Sequence, residues 1–107
     1  MMLTFTLDRQ DTAAFVAFSG DLDIDATELI GEELTPQLSD FERVDIDFSN
    51  VSFVDSSGIG LLIALIKQVR GSGRTITVTR MREDVKTVFS MLQLPEIVGK
   101  DVFPELD

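Results

Sequence analysis

The chain of 107 residues carries 19 acidic against 9 basic side chains, a net charge of −10 that repels phosphate backbones and anionic lipid and argues against nucleic acid or membrane as a partner. It contains no cysteine, which excludes disulfides and thiolate metal sites, and no histidine, the usual base of a serine hydrolase. With 44% hydrophobic residues, no linker and no apolar run of membrane-spanning length, it is expected to form one packed domain over residues 1–107, cytoplasmic and monomeric when free.

Leu3, Phe5 and Leu7 alternate with Thr4, Thr6 and Asp8, and after a polar stretch Ala13–Ser19 reads as a second strand, paired with the first as an antiparallel hairpin. Asp25 is expected to cap a helix in which Ala26, Leu29, Ile30, Glu33 and Leu34 fall near helical spacing, with Leu38 continuing the apolar stripe. Pro36 lacks the backbone donor of a helix interior, a loss of about 3 kcal/mol, so this helix is expected to kink or stop near Leu34–Thr35. Val44, Ile46 and Phe48 alternate with Asp45, Asp47 and Ser49, predicting a third strand closed by a turn at Ser49–Asn50.

The uncharged run Gly58–Ile66 predicts the second helix, ended by Gly71–Gly73, and the β-branched segment Arg74–Thr79 the fourth strand. Val85, Val88, Phe89 and Leu92 lie at i, i+3, i+4 and i+7, the pattern of an amphipathic helix with Glu83 and Asp84 at its favourable N-terminal end. Ile97–Phe103 is expected to add a short edge strand. The order ββαβαβα then implies an α/β fold: a mixed four- to five-stranded sheet, two parallel crossovers and about three helices.

The segment Asp55–Gly60, DSSGIG, places two adjacent hydroxyls where the third strand gives way to the second helix. The first N–H groups of a helix lack intrahelical partners and face the positive end of the macrodipole, so either Ser56 or Ser57 could accept a phosphoryl group there without unfolding the helix. Asp55 reads as an N-cap that also orients the neighbouring hydroxyl, and Ser57, one position deeper, as the better placed cap for the first-turn N–H groups. At about 100° per residue, Ile59, Leu62, Ile66 and Val69 face the core, with Ile63 and Leu65 flanking them, while Gly60, Ala64, Lys67 and Gln68 face outward. A glycine inside a helix costs about 1 kcal/mol relative to alanine, so Gly60 requires a reason: close approach of another protein, or tight packing of the helix start on the sheet. On helix geometry alone the two reasons stand equal, for Gly58 as for Gly60.

GDLD at Gly20–Asp23, DFSNVSFVDSSGIG at Asp47–Gly60 and SMLQL at Ser90–Leu94 together resemble the STAS domain of bacterial anti-sigma factor antagonists over most of the chain. Gln93 departs from the pattern, since many relatives have glycine there. The resemblance implies that Ser56 is a regulatory phosphorylation site supported by Asp55, Ser57 and Gly58, and that Asp23, Ile59, Gly60, Ala64 and Lys67 belong to the partner surface. It further implies a non-catalytic switch: the unphosphorylated form binds an anti-sigma factor that is also a serine kinase and so frees the sigma factor, and a metal-dependent serine/threonine phosphatase resets it. No cofactor is expected, ATP belonging to the kinase.

Two readings compete with this one. A STAS scaffold in another regulatory or lipid-transport assembly would carry an inert serine. A small hydrolase using Ser56 or Ser57 ranks last, because without histidine it would need a lysine base, and Lys67 lies about three turns from Ser56. Asp21, Asp23, Asp45, Asp47 and Asp55 lack any metal-loop spacing, and Asp45 and Asp47 are expected on one strand face in solvent or in helix-capping contacts.

Overall fold

In the computed structural model, which describes residues 1–106, the alternating N-terminal segments form the expected hairpin, β1 (Thr4–Gln10) antiparallel to β2 (Ala13–Leu22). Two parallel pairings follow, β2 with β3 (Arg43–Val54) and β3 with β4 (Thr75–Thr79), so the sheet runs β1-β2-β3-β4. Because both parallel steps move across the sheet in the same direction, right-handed crossovers put both connections on one face. That face is the buried one. Ala14, Val16 and Phe18, Val44, Ile46 and Phe48, and Ile76 and Val78 all lie within the core.

The opposite face is open, and Asp45 and Asp47 stand on it without capping any helix. The hydroxyls of Thr77 and Thr79 donate to Asp45 Oδ1 at 2.7 and 3.3 Å, and Arg80 reaches Asp47 Oδ2 at 3.3 Å. Cross-strand polar pairs of this kind are the ordinary stabilisation of a solvated sheet face.

The first crossover departs from the simple helix expected. Its cap is Asp23 rather than Asp25: Asp23 Oδ1 accepts from the Asp25 N–H at 3.0 Å and starts a 3-10 turn, Ile24–Ala26. A π-helical segment Leu29–Leu34 then passes directly into α1 (Thr35–Leu38). Pro36 does not stop the chain. It sits in the first turn of α1, where a missing N–H is tolerated, and the wider register before it is closed by the Thr35 N–H and hydroxyl, both donated to the Ile30 carbonyl. Arg74, at the entry to β4, donates to the carbonyls of Leu38 and Phe41 and ties the end of this crossover to the sheet.

The second crossover is α2 (Ser56–Gly71), which buries Ile59, Leu62, Leu65, Ile66 and Val69. After β4 come α3 (Glu83–Met91), α4 (Leu94–Val98) and a 3-10 turn, Lys100–Val102. The edge strand expected over Ile97–Phe103 is therefore absent. Pro95 in the first turn of α4 is compatible with a helix, and helical spacing puts Leu94 and Val98 inside while Ile97 is left 53% exposed. Gln93, between α3 and α4, has φ +57°, the left-handed conformation that glycine adopts without strain. A run of edge and tilted aromatic contacts, Phe18–Phe48–Phe89–Phe103, carries the core from β2 through α3 to the C-terminal segment. Arg70 near the end of α2 donates to Asp101 at 2.7 Å, which holds that carboxyl below its ordinary range; the pair is exposed and adds little to stability.

The largest difference from the sequence pattern is the length of β3. The expected Ser49–Asn50 turn is a bulge within one strand: Ala17 pairs with Asp47 but Ser19 with Asn50, and Gly20 with Val51 but Asp21 with Phe53, so β3 carries an extra residue at each step. Asp47 Oδ1 accepts from the Ser49 N–H at 2.8 Å, the local bond that gives Asp-x-Ser its turn character and here shapes the bulge. The second shift reverses the alternation. Val51 is buried and Phe53, on the same face by simple counting, is 52% exposed.

Candidate functional site

The extended β3 delivers Asp55 to the end of the sheet, beside the end of β2. Leu22 pairs with Val54, and the Leu22 carbonyl accepts from the Asp55 N–H at 3.3 Å, so the segment after β2 and the start of α2 lie side by side. This is the C-terminal edge of two parallel strands, where sites of α/β sheets are usually built.

Asp55 caps α2 in extended conformation, its Oδ1 accepting from the Gly58 N–H at 2.8 Å. Ser57 therefore does not hold the capping role expected of it. Ser56 and Ser57 occupy the first two helical positions, both exposed, and no hydrogen bond engages either hydroxyl among the described residues. With Asp55 committed to Gly58, the Ser56 hydroxyl stands free in solvent at the positive end of a sixteen-residue helix.

Gly58 is buried, and the reason is contact. A Cβ there would lie 1.8 Å from the Leu22 carbonyl oxygen and 2.5 Å from its carbon, far inside contact distance. Only glycine lets α2 begin against the end of β2. In the GDLD segment Gly20 is required too, with φ +111° and a Cβ position 2.7 Å from the Met2 carbonyl oxygen.

Gly60 differs. It is exposed, and a Cβ would meet nothing within 4 Å. Packing on the sheet thus supplies no reason for this glycine. Gly60→Ala is accordingly expected to raise the unfolding free energy, by up to about 1 kcal/mol, through helix propensity alone, as measured by urea denaturation. A loss of stability would mean that an unseen contact needs the glycine.

Ser56, Gly60, Ala64 and Lys67 are all exposed along one side of α2, a strip of low relief over about its first three turns. Asp23 is half-buried at the head of its 3-10 turn, next to this end of the sheet, and Ile24 beside it is 62% exposed. Ile59 does not join the strip: it is buried in the core, as its angular position on the helix requires and contrary to its place in the expected partner surface. Ile24 and Phe53 are exposed apolar residues at the same end that the sequence pattern did not single out. Nothing in local periodicity marks either one. Among the described residues no group of three or more carboxylates converges as a metal site, and no helix is long and apolar enough to cross a membrane.

Comparison with known proteins gives a consistent result. The family described as the STAS domain matches residues 4–107. The chain is 25% identical over 99 residues to the anti-sigma-B factor antagonist of Staphylococcus aureus, covering 92% of each chain, and 24% identical over 98 residues to that of Bacillus subtilis. Among solved structures it is similar to an anti-sigma factor antagonist from Mycobacterium paratuberculosis (TM-score 0.77, 20% identity, 90% of this chain and 82% of that one). It is also similar to the Bacillus protein SpoIIAA in its phosphorylated form (TM-score 0.68, 21% identity, 87% and 86%).

Proposed function

As the chain belongs to the STAS domain family, we propose that residues 1–107 act as an anti-sigma factor antagonist, a binding module rather than an enzyme, switched by phosphorylation of Ser56. The observation that carries this reading is the free, exposed Ser56 hydroxyl at the start of α2, directly beside a strip in which Gly60 has no packing role. The names of the curated relatives and the fold of SpoIIAA support it.

In the unphosphorylated form the strip Ser56, Gly60, Ala64 and Lys67, with Asp23 at its head, lies against an anti-sigma factor that also serves as the serine kinase. Small residues at 60 and 64 allow the partner's backbone to come close. The kinase supplies ATP and the base that takes the Ser56 proton; the Ser56 oxygen bonds the γ-phosphorus as the bond from that phosphorus to the β–γ bridging oxygen breaks, and ADP leaves. A serine/threonine phosphatase restores the hydroxyl by hydrolysis. Asp55 does not take the proton in this scheme; its role is to hold the helix start in place through Gly58.

Incubating the chain with candidate anti-sigma kinases and ATP, followed by mass-spectrometric mapping, tests the proposal. Phosphate is expected on Ser56, and Ser56→Ala is expected to abolish incorporation while still binding the kinase. Unchanged incorporation into Ser56→Ala would assign the switch to Ser57. No incorporation with any kinase that binds would leave the scaffold reading, with an inert serine.

A further inference from the structure

A second surface lies on the other side of β3. Pairing of β3 with β4 ends at Asp47–Thr79, yet β3 continues to Val54. Arg82 Nε donates to the Ser49 carbonyl at 3.1 Å, and beyond it no backbone hydrogen bond joins Asn50–Val54 to any described residue after β4. The side of the strand that faces away from β2 is thus an open edge. Instead of a strand, α3 runs alongside, held to the sheet by Phe89 on Phe48, and leaves a groove of about 230 Å³. Ser52–Val54 form one wall, Val85, Val88 and Phe89 the other.

The apolar stripe expected of α3 is only half used. Val85 and Phe89 are buried, but Val88 is 41% and Leu92, one turn on, 48% exposed, and Phe53 lines the groove with Val88 from the strand side. The one charged residue lining the groove among the described residues is Asp84.

We propose that this groove binds an extended peptide segment of a partner protein, with apolar side chains at alternate positions and a lysine or arginine near Asp84. An open strand edge is satisfied only by another extended backbone, and a period of two places every second side chain against Val88 and Phe53. Charge selects the occupant. A second copy of this chain would bring another net charge of −10 to a groove whose one charged lining residue among the described residues is Asp84, whereas a basic segment is complementary to that carboxylate. The surface uses none of the α2 strip and does not depend on the reading of Ser56.

The test is selection of linear dodecapeptides from a phage-displayed library against the whole chain, then titration of the best synthetic peptide into isotope-labelled protein. The expected peptides alternate apolar residues beside a Lys or Arg, shift the amides of Asn50–Val54 and Val85–Leu92, and slow hydrogen exchange along Asn50–Val54. Val88→Asp and Asp84→Lys, both at exposed positions, should each weaken binding at least about tenfold, while Ala64→Arg, which disrupts the α2 strip, should leave it unchanged. Selection that yields no binder, or shifts centred on Ser56–Lys67, overturns the proposal. So does a dimer in sedimentation that Val88→Asp dissolves, which would assign the groove to a second copy of the chain.

Discussion

Gly58→Ala is expected to lower the unfolding free energy by about 3 kcal/mol or more, the upper end of what overpacking a fitted site costs. The added Cβ would fall 1.8 Å from the Leu22 carbonyl oxygen, a backbone atom that no side-chain rotation can clear. To admit it, α2 must move off the end of β2, and that breaks the bond from the Asp55 N–H to Leu22 and the cap from Asp55 to Gly58. The helix-propensity gain of about 1 kcal/mol acts in the opposite direction and is outweighed. A fall in melting temperature of roughly 12 °C or more would accompany the change. Two residues further on, the same substitution at Gly60 should stabilise, because there the methyl group meets nothing. Urea denaturation of the two variants side by side checks both signs. A Gly58→Ala loss under about 1 kcal/mol would mean that the start of α2 slides freely on the sheet, and the rigid placement of Ser56 would have to be given up.

Phosphorylation of Ser56 is expected to weaken kinase binding at least about a hundredfold, or 2.7 kcal/mol, while leaving the domain folded. The phosphate adds about −1.5 to −2 charges and three strongly hydrated oxygens at the edge of the α2 strip, so docking would have to desolvate them or bring like charges together. The domain itself has little reason to respond. Among the described residues the Ser56 hydroxyl makes no hydrogen bond that the modification would break, and an anion at a helix start gains about 0.3 to 1 kcal/mol from the dipole and free N–H groups. Against this stands the adjacent Asp55 carboxylate, well inside a Debye length of roughly 8 Å, so the stability change should stay within about ±1 kcal/mol. Calorimetric titration of both forms with the kinase, together with denaturant melts and amide spectra, decides the matter. Spectral change spread through the core would show that the switch remodels the fold, and the local electrostatic mechanism would fail.

Features set by near neighbours were legible in the sequence. The hairpin, the core side of α2, the strand β4 and the position of the DSSG segment at a strand-to-helix junction all follow from periodicity and capping chemistry within a few residues of each position. The resemblance carried by that segment pointed to the family that the match over residues 4–107 establishes. The dual role of Gly58 and Gly60 was only half legible: two glycines in a helix start look alike in the sequence, and the Leu22 carbonyl, distant in sequence, is what separates them.

The remaining features were settled by contacts between segments far apart along the chain. Ser49–Asn50 has the local chemistry of a turn, but pairing with β2 absorbs it as a bulge, and the second bulge at Ser52 rotates Phe53 outward against the count of two. Val88 and Leu92 match a helical core stripe, yet β4 stops at Thr79, so among the described residues no strand lies beyond the end of β3 to cover them. Ile97–Phe103 has the β-branched character of a strand but folds as helix and 3-10 turn, because Leu94, Val98, Val102 and Phe103 find the core at helical spacing. The sequence by itself determined which residues can be apolar contacts and where a helix can start. The tertiary structure decided which of those contacts are used and which stay exposed, because burial depends on register and strand length, and these are set by partners that local periodicity does not contain.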